Sequence, residues 1–138
     1  ASISGESCLF IKPQTYMNKS GEAVAEFVNF YKIPIEKIVI ISDDIDLPPG
    51  KVRFRDEGGH GGHKGLSSII ESLGNGNFHR IRFGVGRPAD KENVVGHVLG
   101  RWSDAELKLT RNAFNLALKE MVKFLETSQF QNVSFSVT

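Results

Sequence analysis

Ile38-Val39-Ile40-Ile41, followed at once by Ser42-Asp43-Asp44-Ile45-Asp46 and Leu47-Pro48-Pro49-Gly50, is the stretch that sets the fold class. Four consecutive β-branched residues make a strand with no polar side, which predicts a strand covered on both faces in a mainly parallel sheet. An acid cluster at the carboxyl end of such a strand stands where open α/β sheets place their ligands, and this singles out Asp43. Asp46 reads as part of the turn that leads into Pro48.

Downstream, Lys51 to Arg55 alternates charged and apolar residues, so Val52 and Phe54 should face a core while Arg53 and Arg55 face solvent, as in an antiparallel strand near a sheet edge. His79 to Val85 repeats the pattern, with Ile81, Phe83 and Val85 inward and Arg80 and Arg82 on the other side. Upstream, Ala23, Val24, Phe27, Val28 and Tyr31 share one face of an amphipathic helix that Pro34 ends. Ser7 to Lys12 reads as a short buried strand stopped by Pro13. Arg87 to Gly100 reads as a partly structured connection. Ser103, with Glu106 three residues on, opens a long helix with a capping box, and Leu107, Phe114, Leu118, Met121, Val122 and Leu125 form the stripe expected to be its buried face. Phe130 to Val137 alternates and reads as a terminal strand or a packing arm.

Between the two alternating strands lies Gly58-Gly59-His60-Gly61-Gly62-His63-Lys64-Gly65-Leu66, which opens onto the helical spacing Leu66, Ile69, Ile70, Leu73. Glycines let another molecule approach backbone N–H groups, and a helix start attracts anions. A lysine at that end has the wrong sign for helix stability, so Lys64 turns into solvent or faces an anion. The competing interpretation is a mobile glycine turn. A metal site of His60, His63 and Asp43 is a minor alternative, because a His-x-x-His pair in a glycine loop has no helix to fix it. The nucleotide-binding patterns G-x-G-x-x-G and G-x-x-x-x-G-K-[ST] are missing. No cofactor is expected.

The formal charge is only +1 over 138 residues, yet from Lys51 to Arg87 seven Lys or Arg face three acids, a local +4 against −3 elsewhere. That concentration favours a polyanion or phosphate partner, with solvated surface charge as the alternative. At 40% hydrophobic and 24% charged residues, and with no apolar run near the roughly 20 residues that span a bilayer, a globular protein of one domain over residues 1–138 is expected. The single cysteine, Cys8, permits no internal disulfide and suits a reducing compartment.

Four blocks resemble bacterial peptidyl-tRNA hydrolases in order and spacing: Lys12-Pro13-Gln14-Thr15-Tyr16-Met17-Asn18-Lys19-Ser20-Gly21, Asp43 to Gly50, Gly58 to Leu66, and Asn77-Phe78-His79-Arg80-Ile81-Arg82-Phe83-Gly84-Val85-Gly86. The resemblance runs from about Ser7 to the helix ending near Glu126. It implies a three-layer α/β fold of the purine-phosphorylase/hydrolase type, with a mixed, mainly parallel sheet and helices on both faces. It also implies hydrolysis of the ester between peptide and tRNA in a cytoplasmic, monomeric enzyme whose partner is peptidyl-tRNA.

By the same resemblance, Tyr16, Met17 and Asn18 meet the acceptor end, Asn18 helps to place the water and the ester carbonyl, and Asp43 is the carboxylate that orients the catalytic histidine. Arg53, Arg55 and Arg82 fall at basic positions associated with the tRNA backbone. His63 matches a site histidine, and Lys64 stands where the family usually has asparagine; an ammonium donates hydrogen bonds but accepts none. The family's Gly-Asn-Pro-Gly loop and its Thr-Arg-His-Asn segment with the catalytic histidine have no counterpart here. None of the four histidines matches the general base. The expectation is an N-terminally incomplete enzyme, inactive alone; the alternative is a non-catalytic RNA-binding or interaction module of the same fold.

Overall fold

The computed structural model describes residues 1–87 and 102–137. Its elements are β1 (Ser2–Ile3), β2 (Glu6–Ser7), α1 (Ser20–Tyr31), β3 (Val39–Asp44), β4 (Lys51–Arg55), α2 (Lys64–Leu73), β5 (His79–Gly84), α3 (Asp104–Thr127) and β6 (Ser134–Ser136). One sheet is the β1–β2 hairpin, and the other has the order β3-β5-β4-β6. His79 N donates to Ile38 O and Val85 N to Asp44 O, each at 3.0 Å, so the partners advance together along β3 and β5 as in a parallel pair. β4 and β6 pair antiparallel, with Val52 opposite Phe135. The sheet is therefore mixed, and the α/β class expected from the sequence is the one observed.

By contact density the chain forms two compact units, Ala1–Ile40 with Arg55–Arg80, and Ile41–Phe54 with Ile81–Thr138. In the first, Val24 of α1, Leu66 and Ile69 of α2, Ile38 and Phe78 form the core, with Val28, Ile33, Ile35, Ile40, Ile70 and Leu73 packed against it. α1 comes very close to α2. Gly21 N donates to Ser68 Oγ at 2.9 Å, and a Cβ on Gly21 would lie 2.1 Å from Ser68 O.

In the second unit, Val52, Phe54, Ile81, Phe83 and Val85 are buried, as the alternation of both strands requires. The tail is a strand rather than a free arm: Phe54 N donates to Val133 O at 2.8 Å, and the Phe54 ring meets Phe130 and Phe135 at centroid distances of 5.5 and 6.1 Å. Ser103 and Glu106 form the expected capping box at the start of α3.

Four sequence expectations are corrected. Ser7 to Lys12 is not a buried strand: only Ser7 belongs to one, and Phe10 is 72% exposed. Among the described residues β3 is an edge strand rather than an interior one, and its Ile41 is 60% exposed. The stripe assigned to the core of α3 is only partly inward: Ala113 and Ala117 are the buried residues, Leu109 reaches the space over Gly50, and Phe114 stacks on Phe83 at 4.3 Å while remaining 45% exposed, whereas Leu107, Leu118 and Val122 are exposed. Small side chains let a helix lie close, and here close approach outweighs side-chain bulk in selecting the buried face. Arg80, read as a surface residue, is fully buried. The connection expected from Arg87 to Gly100 falls, beyond Arg87, outside the described residues.

The Gly21 contact yields a stability prediction. Ala at a helix position gains about 1 kcal/mol over Gly in propensity, but a methyl group forced against the Ser68 carbonyl belongs to the overpacking class, which costs roughly 1–3 kcal/mol or more. Gly21→Ala should therefore lower stability in urea unfolding, with separation of α1 from α2; a gain would show that the helices separate freely.

Candidate functional site

In the first unit the proposed acceptor-end residues gather at the start of α2. Met17 and Asn18 lie in a 3₁₀ turn, Met17–Lys19, that leads directly into α1. Ser20 Oγ donates to Met17 O at 2.8 Å and lies 3.8 Å from Met17 Sδ, which ties the turn to the helix. A Cβ on Gly65 would lie 2.7 Å from Met17 Sδ and 2.9 Å from His63 Cε1, so Met17 and His63 converge over this glycine and leave no room for a side chain. Tyr16 beside them is 82% exposed, and Asn18 and Lys64 are exposed as well. The result is a methionine–imidazole pair at a helix N-terminus, with the exposed residues Tyr16, Asn18 and Lys64 next to it in the chain. Such a surface can stack a flat apolar ring and offer hydrogen bonds around it.

The two histidines of the glycine loop order the backbone. His60 Nδ1 accepts from Gly62 N at 2.9 Å, and His63 Nδ1 accepts from Leu66 N at 3.2 Å as the N-cap of α2. Both Nδ1 atoms are thus engaged by backbone N–H groups. For His63, accepting at Nδ1 requires the neutral Nε2–H tautomer, which presents a donor at its other nitrogen and has no lone pair there to act as a base. Lys64 is the first residue of α2, where its charge opposes the helix dipole.

In the second unit Asp43 and Asp44 end β3 on opposite faces. Asp43 shares its side with exposed Ile41, while Asp44 meets Arg82 at 3.7 Å, with side chains 10% and 20% exposed. Asp44 Oδ1 also accepts from Asp46 N at 2.8 Å, so it is Asp44 that shapes the turn. Asp46 instead pairs with Arg87, whose Nε lies 2.9 Å away. Arg53 and Arg55 of β4 are half-buried, and Arg53 lies opposite Ser134 of β6.

Met17, His63 and Lys64, singled out from the sequence, lie together at the start of α2, and three features were not anticipated. These are the capping role of His63, the Asp44–Arg82 pair, and the burial of Arg80, whose Nη1 donates to Gly59 O at 2.7 Å. Position three before a helical Leu66 was the available signal for the cap. No group of three or more His, Cys, Asp or Glu suited to a metal ion occurs among the described residues. No described helix is long and apolar enough to cross a membrane.

The family model for peptidyl-tRNA hydrolase matches residues 1–137. Among curated relatives, the peptidyl-tRNA hydrolase of Erwinia tasmaniensis is 48% identical over 85% of this chain and 60% of its own length. That of Halorhodospira halophila is 49% identical over 89% of this chain and 63% of its length. The crystal structure of peptidyl-tRNA hydrolase from Acinetobacter baumannii matches with a TM-score of 0.78 at 46% identity, over 85% of this chain and 59% of that one. The chain thus spans about three fifths of the length of these relatives.

The cap makes a prediction. His63→Ala removes the acceptor for Leu66 N and should lower stability by about 1 kcal/mol, whereas His63→Asn, with a side chain favoured at N-caps, should recover most of it. Equal loss in both variants, measured by urea unfolding, would refute the capping role.

Proposed function

The chain belongs to the peptidyl-tRNA hydrolase family, and from that premise we propose that it carries the acceptor-end surface and the orienting carboxylate of an enzyme that hydrolyses the ester between peptide and tRNA. The convergence of Met17 and His63 over Gly65, with exposed Tyr16 and Asn18 next to Met17 in the chain, carries this reading. It offers a floor for the terminal ribose and base, and an amide that can hold both the attacking water and the ester carbonyl.

In the proposed reaction a base takes a proton from water as the water oxygen attacks the ester carbonyl carbon. The tetrahedral intermediate then collapses, and the ribose oxygen leaves with a proton, giving free peptide and free tRNA. Asp43 serves as the orienting partner of an imidazole, since a carboxylate is itself a weak base at neutral pH. By the family resemblance, none of the four histidines of the sequence matches that imidazole. His63, capping a helix through Nδ1, is held in the tautomer unsuited to it. The enzyme is proposed to act in the cytoplasm as a monomer without a cofactor. A non-catalytic RNA-binding module is the second reading, favoured by the same lack of a resident base.

Release of labelled peptide from purified peptidyl-tRNA by the 138-residue chain tests this division of labour. Without a positioned base, typically worth about 10²–10⁴-fold, turnover should be negligible. Turnover of roughly 1 s⁻¹ or more, typical of ordinary enzymes, would refute the assignment, and its loss in His63→Ala would make His63 the base.

Arg53, Arg55 and Arg82 are proposed to meet tRNA phosphates, with Lys64 nearer the acceptor end. Affinity should then fall with salt, and Arg82→Ala should reduce the log–log slope by somewhat under one unit without altering preference among tRNAs. An unchanged slope in Arg82→Ala would confine Arg82 to its pairing with Asp44.

A further inference from the structure

Arg80 belongs to none of the roles above. It is 0% exposed, so it meets no polyanion. Its Nη1 donates to Gly59 O at 2.7 Å, its Nη2 donates to Gly76 O at 2.5 Å, and its guanidinium carbon lies 4.4 Å from the centroid of the Phe78 ring. Gly59 precedes α2 and Gly76 follows it, so one rigid fork closes the whole excursion that carries the helix. The two loop segments it joins are already in tight contact, since a Cβ on Gly76 would lie 2.3 Å from Gly58 O.

From Gly59 the order passes along the loop by hydrogen bonds. His60 receives Gly62 N at its ring and His63 N at its carbonyl, each at 2.9 Å, and His63 in turn caps α2. A run of glycines has high conformational entropy when left untethered. We propose that Arg80 is a positioning residue, which fixes the glycine loop from beneath so that His63 and Lys64 are presented to the acceptor end in one place. The proposal rests on the reading of those two residues as acceptor-end contacts.

The test uses Arg80→Met and Arg80→Lys in the 138-residue chain, amide hydrogen exchange, and a tRNA acceptor minihelix carrying its peptide through a non-hydrolysable amide. In Arg80→Met, exchange at Gly62, His63 and Leu66 should rise roughly tenfold or more while that at Val52 and Val85 stays as in the parent. The Kd should rise roughly tenfold, and the salt slope should stay that of the parent, unlike Arg82→Ala. Arg80→Lys, which retains the charge and can serve one carbonyl, should recover part of both effects.

Unchanged loop exchange overturns the proposal, and so does a salt slope reduced by about one unit, which would make Arg80 a phosphate contact. Should neither variant fold, Gly76→Ala, which keeps the arginine and whose Cβ would lie 2.3 Å from Gly58 O but at an ordinary 3.5 Å from Arg80 Nη2, should loosen the same amides, and unchanged exchange there has the same adverse meaning. If the loop loosens and the Kd does not move, His63→Ala separates the two ideas. Weaker binding by His63→Ala then overturns the role of Arg80, whereas parental binding removes the acceptor-end reading and the functional role of Arg80 with it.

Discussion

The close crossing of α1 and α2 is the constraint on which the first unit depends. With a Cβ forbidden at Gly21 and its N–H bonded to Ser68 Oγ, the two helices meet backbone to backbone. The 3₁₀ turn before α1 is fixed to that helix through Ser20, so the same crossing brings Met17 over Gly65. A glycine at each end of this path, at positions 21 and 65, serves one purpose: it lets one segment lie on another with nothing between them. Moving α1 outward by the radius of a methyl group would separate Met17 from His63 while leaving every element intact. The site is for that reason more sensitive than the fold to changes in α1.

The glycine loop gains its order from polar groups, since it has almost no apolar side chains with which to pack. Two imidazoles accept from backbone N–H groups within the loop, and a buried guanidinium donates to carbonyls on its two flanks. Several donors and acceptors of this exposed stretch of main chain are thus paired without forming a helix or strand. This also separates the two interpretations of the loop. A mobile glycine turn would leave its N–H and C=O groups to water, whereas here Gly62 N, Leu66 N and Gly59 O are held by side chains of His60, His63 and Arg80.

The α/β class, the two alternating strands, the capping box of α3 and the glycine-loop helix were legible because each is written in neighbouring residues. What the sequence concealed depends on residues far apart. Period-two alternation puts Arg80 with Arg82, yet β5 is covered on that side by Gly59 and Gly76, 21 and 4 residues away, and this turns one arginine into a core residue. The α3 stripe failed for a related reason. Bulk favours the face with Leu107 and Leu118, but the fully buried positions are Ala113 and Ala117, whose small side chains permit close approach. Likewise four β-branched residues state that β3 can be covered on both faces, and only the strand order reveals an edge. In the site, Met17 and His63 were legible singly, and their meeting over Gly65 was not.

Charge shows the same difference between what is counted and what is available. Seven basic residues from Lys51 to Arg87 suggested a strongly positive face. Arg80 is buried against carbonyls, Arg82 pairs with Asp44 and Arg87 pairs with Asp46, and both aspartates lie outside the stretch over which the charge was summed. The net +4 of that stretch therefore overstates the field that a polyanion would meet. A phosphate approaching Arg82 competes with a partly buried carboxylate, so its contact there is an exchange of partners and not a simple gain. The gain in affinity from such a contact is smaller than that from an arginine drawn out of water alone, while its geometric selectivity is greater, because Asp44 fixes where the guanidinium sits before the phosphate arrives.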